Sequence, residues 1–250
     1  MRVTLVAGQP RQGKTTLALA VARREAGRLI VLDPVRSKAL QSVTSVESWH
    51  RLAKWLAESP AARADRWEIA LRSDDPADYA ATLRYAKHYR HVALLLDEVL
   101  TFTSDRDALP WLVRAARASA HFGGGAGVTL YMTAQRPYDI PPDVRACLTR
   151  LFVFATREPG DLEYISRFTL DPDLAAQVAG LAPHDFLEFP PTTERRSEPQ
   201  RLDGMEEKTD ESVPDGGTRG GGAARAVPSG SEDQPHSPSP RRAQVERATT

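Results

Sequence analysis

Short apolar runs and amphipathic stretches take turns along the first 156 residues of the chain. "RVTLVA" (2–7), "RLIVLD" (28–33), "RWEIAL" (66–71), "HVALLLDE" (91–98), "VTLYMTA" (128–134) and "LFVFAT" (151–156) have strand length and strand composition. Between them, residues 15–26, 45–58, 76–90, 107–122 and 141–150 read as helices. The first of these carries Leu17, Ala20, Val21 and Arg24 at helical spacing among strong helix formers. The run 91–98 is apolar without alternation until two acids close it, the form of a strand buried on both faces of a parallel sheet. Strands alternating with helices predict a wound α/β sheet.

Composition sets this patterned region apart from the carboxyl-terminal part of the chain. From Pro191 to Thr250 there is no Phe, Trp or Tyr, and residues 215–242 are dense in Gly, Pro and Ser. Such a segment buries too little apolar surface to offset its ordering entropy, so 191–250 is expected to be a disordered tail and 1–190 the folded module. Charge is balanced in both parts: 24 Lys and Arg against 22 Asp and Glu in 1–190, and 9 against 11 in 191–250. Any contact with nucleic acid must therefore be local. The single cysteine, Cys147, excludes an internal disulfide framework and fits a reducing compartment. No apolar run approaches the ~18–20 residues of a membrane helix, and the N-terminus lacks a signal-peptide pattern. A soluble, cytoplasmic protein is expected.

The chemistry begins between the first strand and the first helix. "GQPRQGKTT" (8–16) satisfies G-x-x-x-x-G-K-S/T. Gly8 and Gly13 allow a sharp turn close to a ligand, and the backbone of Gln9, Pro10, Arg11 and Gln12 wraps the phosphates. The adjoining helix adds the positive end of its dipole. Lys14 reaches the β- and γ-phosphates, the Thr15 hydroxyl ligates Mg²⁺, and Thr16 completes the motif. Strand, loop and helix stand in the order such a site requires, which makes ATP and Mg²⁺ the expected ligands.

A second motif, Asp97-Glu98, closes the buried strand 91–98. An acid at that place serves the Mg²⁺ shell, and a neighbouring carboxylate can polarise an attacking water; Asp97 is assigned to metal and Glu98 to water. A third is Gln135, at the end of "VTLYMTAQRP". If its strand neighbours the strand of Asp97, Gln135 lies near the γ-phosphate, where an amide can orient water or sense phosphate. Otherwise Arg136-Pro137 simply ends a strand.

"GQPRQGKTT", "VALLLDE", "LVRAARASAHFGGGAGVTLYMTAQRP" and "IPPDVRACLTRLFVFAT", in this order and spacing, resemble the HerA/FtsK superfamily of hexameric DNA-translocating and packaging ATPases. The likeness covers most of residues 1–170 and none of the tail. Within the superfamily, the small genome-packaging ATPases of tailless, internal-membrane viruses are similar in being little more than a motor core. The resemblance implies a P-loop NTPase with a RecA-like, mostly parallel central sheet flanked by helices. It also implies a homo-hexamer acting on double-stranded DNA, with a capsid or portal-vertex protein as partner, in host cytoplasm or associated with the virion. ATP would sit between subunits, completed by an arginine from the neighbour. Arg117 best matches the family position, with Arg114 one turn earlier; relatives often carry a further basic residue where this chain has Ala120-His121. The Gly-rich "GGGAG" (123–127) is a hinge or a long connection. With the phosphate loop starting at Gly8, substrate recognition falls to core loops, the ring or a partner.

Two readings of other classes stand beside this one. A P-loop kinase for a small molecule would need an arginine-rich lid, which the sequence does not display. A nucleotide-dependent assembly or switch protein would use the tail as its binding element.

Overall fold

The computed structural model describes residues 3–88, 91–121, 128–189 and 200–201. All of them belong to one compact unit, Met1–Glu207. The Gly-rich segment 123–127 and almost all of the expected tail lie outside the described residues.

Each apolar run forms a strand: β1 (Val3–Ala7), β2 (Arg28–Leu32), β4 (Trp67–Leu71), β5 (Ala93–Leu96), β6 (Thr129–Ala134) and β7 (Arg150–Phe154). With β3 (Ser45–Val46), β8 (Asp185–Phe189) and β9 (Gln200–Arg201) they make one nine-stranded sheet, in the order β3-β4-β2-β5-β6-β1-β7-β8-β9. The pairings are parallel from β3 to β7, and β8 and β9 add antiparallel. The expected α/β fold with a mostly parallel sheet is therefore present.

Period-2 alternation divides the core into two faces. Leu94 and Leu96 join the larger core, with residues of α2 (Trp49–Glu58), α3 (Pro76–Tyr85), α5 (Leu109–His121), α7 (Pro159–Thr169) and α8 (Pro172–Ala179). Ala93 and Leu95 join the other, where α1 (Lys14–Glu25) contributes Leu17, Ala18, Val21 and Ala22. Each fully buried Leu or Val in these strands contributes about 1.5–3 kcal/mol. Two single-turn helices, α4 (Leu100–Thr103) and α6 (Pro142–Arg145), complete the set. No helix among the described residues is long and apolar enough to cross a membrane.

The structure differs from the sequence pattern most at three places. The helix expected over 45–58 starts at Trp49, because Ser45 and Val46 pair with Ala70 and Leu71 of β4 and the Ser48 hydroxyl caps the helix by accepting from the Arg51 amide. The helix expected over 141–150 is cut to α6. Downstream, the Val3 amide donates to the Thr149 hydroxyl and the Thr149 amide to the Val3 carbonyl, which draws Arg150 into β7 beside β1. Finally, α7, α8, β8 and β9 come after the last expected strand, and β9 falls within the segment expected to be tail.

At the amino-terminal end of β7, Arg150 is buried between Glu25, the last residue of α1, and Glu188 of β8. It hydrogen-bonds both carboxylates, and the Tyr131 hydroxyl donates to Glu25 at 2.9 Å. Burial opposes the charge of Arg150, but the two glutamates outweigh it and hold its pKa above the ordinary value. The far end of α1 is thereby fixed to β6, β7 and β8.

Candidate phosphate and metal site

Five residues lie in a row along the carboxyl-terminal edge of the sheet, each the first after its strand. Asp33 follows β2, Asp97 follows β5, Gln135 follows β6, Gly8 follows β1 and Ala155 follows β7. This edge is where ligands of open parallel sheets bind.

The loop 8–13 leaves β1, which lies between β6 and β7 in that row. Gly13 adopts a left-handed backbone (φ 96°) as the N-cap of α1, which suits a residue without Cβ. At Gly8 a Cβ would stand 2.5 Å from Gln12 Oε1 and 2.6 Å from Phe154 Cβ, so no larger residue fits. The first turn of α1 contains no acid and its N-cap makes no side-chain bond, leaving the amides at that end for an external anion. Gln12 ties the loop down: its Oε1 accepts from the Gln9 amide at 2.7 Å, and its Nε2 donates to the Ala155 carbonyl at 3.1 Å. Gln9, Pro10, Arg11 and Thr16 are exposed.

Asp97 is buried, and its Oδ1 accepts from the Thr15 hydroxyl at 2.7 Å and the Thr133 hydroxyl at 2.9 Å. Glu98 turns out of β5 through a left-handed conformation (φ 56°), a strain on the order of 1 kcal/mol for a residue with a side chain. The turn is held by its amide, which donates to Thr133 Oγ1 at 2.8 Å. Gln135 Nε2 lies 3.4 Å from Glu98 Oε2, so the neighbourhood of β5 and β6 expected from sequence is realised. Lys14 Nζ donates to the Gln9 carbonyl at 3.1 Å.

Burial sets the electrostatics of this group. It lowers the pKa of Lys14 against the raising fields of Glu98 and Asp97. It raises Asp97 against the hydrogen bonds of Thr15 and Thr133, and raises Glu98 against Lys14 and Gln135. A carboxylate raised in this way is a stronger base than a solvated one. No cluster of three or more His, Cys, Asp or Glu suitable for a metal occurs among the described residues. The hydroxyl of Thr15 beside the carboxylate of Asp97 is instead an oxygen pair of the kind Mg²⁺ shares with phosphates and water.

The two arginines expected to act across a subunit boundary stand apart from this group. Arg117 Nη2 pairs with Asp143 Oδ1 of α6 at 3.2 Å, and the Arg114 guanidinium lies 4.6 Å from the centroid of the Trp111 ring. Neither shows a contact with Asp97, Glu98 or Gln135. Next to Gln135, Arg136 sits 3.6–3.8 Å from Asp139, Glu158 and Asp161, held by charge rather than hydrogen bonds at its buried Nε.

Two site residues escaped the sequence reading. Thr133 bridges the Asp97 carboxylate and the Glu98 amide; the signal was its place two residues before Gln135, hence on the same strand face. His184, just before β8, places Nδ1 3.3 Å from the Gln12 carbonyl and had no local signal.

Among solved structures, the genome packaging NTPase B204 of Sulfolobus turreted icosahedral virus 2, in its sulfate complex, aligns with a TM-score of 0.56 at 20% identity, covering 80% of this chain and 94% of that one. The chain shares the fold of B204. The AMPPCP complex of B204 aligns at 0.55 and 22% identity, covering 76% and 92% of the two chains. VirB4 of Thermoanaerobacter pseudethanolicus aligns at 0.53 and 12% identity, covering 76% and 87%. No family model and no curated protein matches the chain. The fold expected from the HerA/FtsK resemblance is thus the fold found.

Proposed function

We propose that the chain is a Mg²⁺-dependent ATPase that drives double-stranded DNA, a viral genome, into a capsid as a homo-hexamer docked on a capsid or portal-vertex protein. The observation that carries the reading is the continuous set Thr15–Asp97–Thr133–Glu98–Gln135 beside the loop 8–13. Lys14 and the amides of the loop hold the phosphates. Thr15 and Asp97 hold Mg²⁺, which when bound would neutralise phosphate charge. Glu98 takes a proton from the attacking water and Gln135 positions that water. The shared fold with B204 supports the packaging role. In this reading Arg117 leaves Asp143, its exposed partner, to reach a neighbouring site. Arg114 is the less free of the two, because it is stacked on Trp111.

Lys14→Ala is expected to abolish tight ATP binding in titration calorimetry. Arg117→Ala should bind ATP normally and hydrolyse it roughly 10³-fold more slowly or worse, the scale of an arginine supplied in trans. Mixing the two inactive variants should restore activity, since mixed rings contain interfaces with both parts intact. Hexamers in light scattering and hydrolysis stimulated by double-stranded DNA complete the test. A monomer with full turnover, indifferent to DNA, overturns the motor.

A further inference from the structure

The strand order fixes which way a nucleoside triphosphate must lie. The residues placed at the γ-phosphate, Asp97, Glu98 and Gln135, come after β5 and β6, on one side of β1. The loop 8–13 leaves β1 itself. The nucleoside end of the ligand therefore departs on the other side of β1, over β7 and the start of β8. Two segments meet the phosphate loop there. Ala155 accepts from Gln12 Nε2, and His184 approaches the Gln12 carbonyl.

We propose that His184 contacts the nucleoside half of the bound nucleoside triphosphate, a role that rests on the nucleotide reading above. The side chain is exposed rather than built into either core, and the backbone at φ 70° holds it at the loop instead of letting the chain run straight into β8. A carbonyl only accepts, so Nδ1 is the donor to Gln12, and Nε2 is the ring nitrogen left for a ligand. A ring nitrogen and an exposed aromatic ring suit the polar groups of a ribose or base and the plane of the base. The phosphate loop and the nucleoside contact are thereby joined through a single residue, Gln12.

The experiment separates a nucleoside contact from a prop under the loop. MgATP and magnesium tripolyphosphate are titrated calorimetrically into the full chain, into His184→Gly, which tolerates the positive φ, and into His184→Asn, which tolerates it and keeps a polar group. His184→Gly should weaken MgATP about three- to tenfold, the scale of one hydrogen bond, and leave tripolyphosphate within about twofold. His184→Asn should recover part of the loss. Equal weakening of both ligands means that the ring only supports the loop, and no change in either means that it makes no contact; each result overturns the proposal. If the unaltered chain binds neither ligand, the nucleotide reading itself fails.

Discussion

Two clusters of charge, one at each end of α1 and each holding one buried ion, are built from the same kinds of group and behave oppositely. At the amino-terminal edge of the sheet, Arg150 is hydrogen-bonded to both Glu25 and Glu188, and its pKa is raised. At the carboxyl-terminal edge, Lys14 has two carboxylates nearby but hydrogen-bonds only a carbonyl, and its pKa is lowered, while those of Asp97 and Glu98 are raised. Full pairing turns the buried charge of Arg150 into structure. Incomplete pairing leaves each of these ions less stable than in water.

The sharpest way to break this contrast is Glu98→Gln. It should keep ATP binding and lower kcat by about 10²–10⁴-fold, as for loss of a general base. Unchanged turnover would remove Glu98 from the chemistry. Arg150→Met should do the reverse: about 2–3 kcal/mol of stability lost in denaturant titration, because Glu25 and Glu188 lose their shared cation, with kcat little altered in the protein that remains folded. A large fall in kcat at full occupancy would merge the two clusters functionally.

Thr133→Val should cost less, about tenfold in kcat, by freeing the Glu98 amide and one bond to Asp97; crystallography of the variant should show the Glu98 turn relaxed. Asp97→Asn should give the smallest change and one of opposite sign, a higher unfolding midpoint without ligand at neutral pH. The folded-state pKa of Asp97 is raised, so its contribution to stability is complete below the ordinary carboxylate range and is lost as pH rises through the raised value. The advantage of the Asn variant should therefore shrink as the pH falls, and an advantage independent of pH would assign the effect to packing.

How much of this was legible in the sequence depends on where the causes lie. The phosphate loop, the strand of Asp97 and Glu98 and the place of Gln135 are local patterns, and the pairing of β5 with β6 is the simplest arrangement of buried parallel strands. Thr133 was harder, since a β-branched hydroxyl residue suits any strand, and only the turn at Glu98 gives it partners. His184 depends on β8 returning antiparallel along β7, a tertiary event with no short-range signature. The same holds for Ser45 and Val46, which the helical pattern claims until β4 offers them a pairing edge. The intramolecular partner of Arg117 was equally hidden, because Asp143 lies 26 positions away on a helix shorter than the pattern implied.

The strand at one border of the nine-stranded sheet, β3, is only two residues long. Long open edges invite strand addition and fibre growth, and short ones do not. The sheet is thus blunted at that border, which protects the chain from sticking to itself edge to edge. In the proposed ring, contact at that border falls to loops and helix surfaces, which can come apart and re-form without unzipping a ladder of backbone hydrogen bonds.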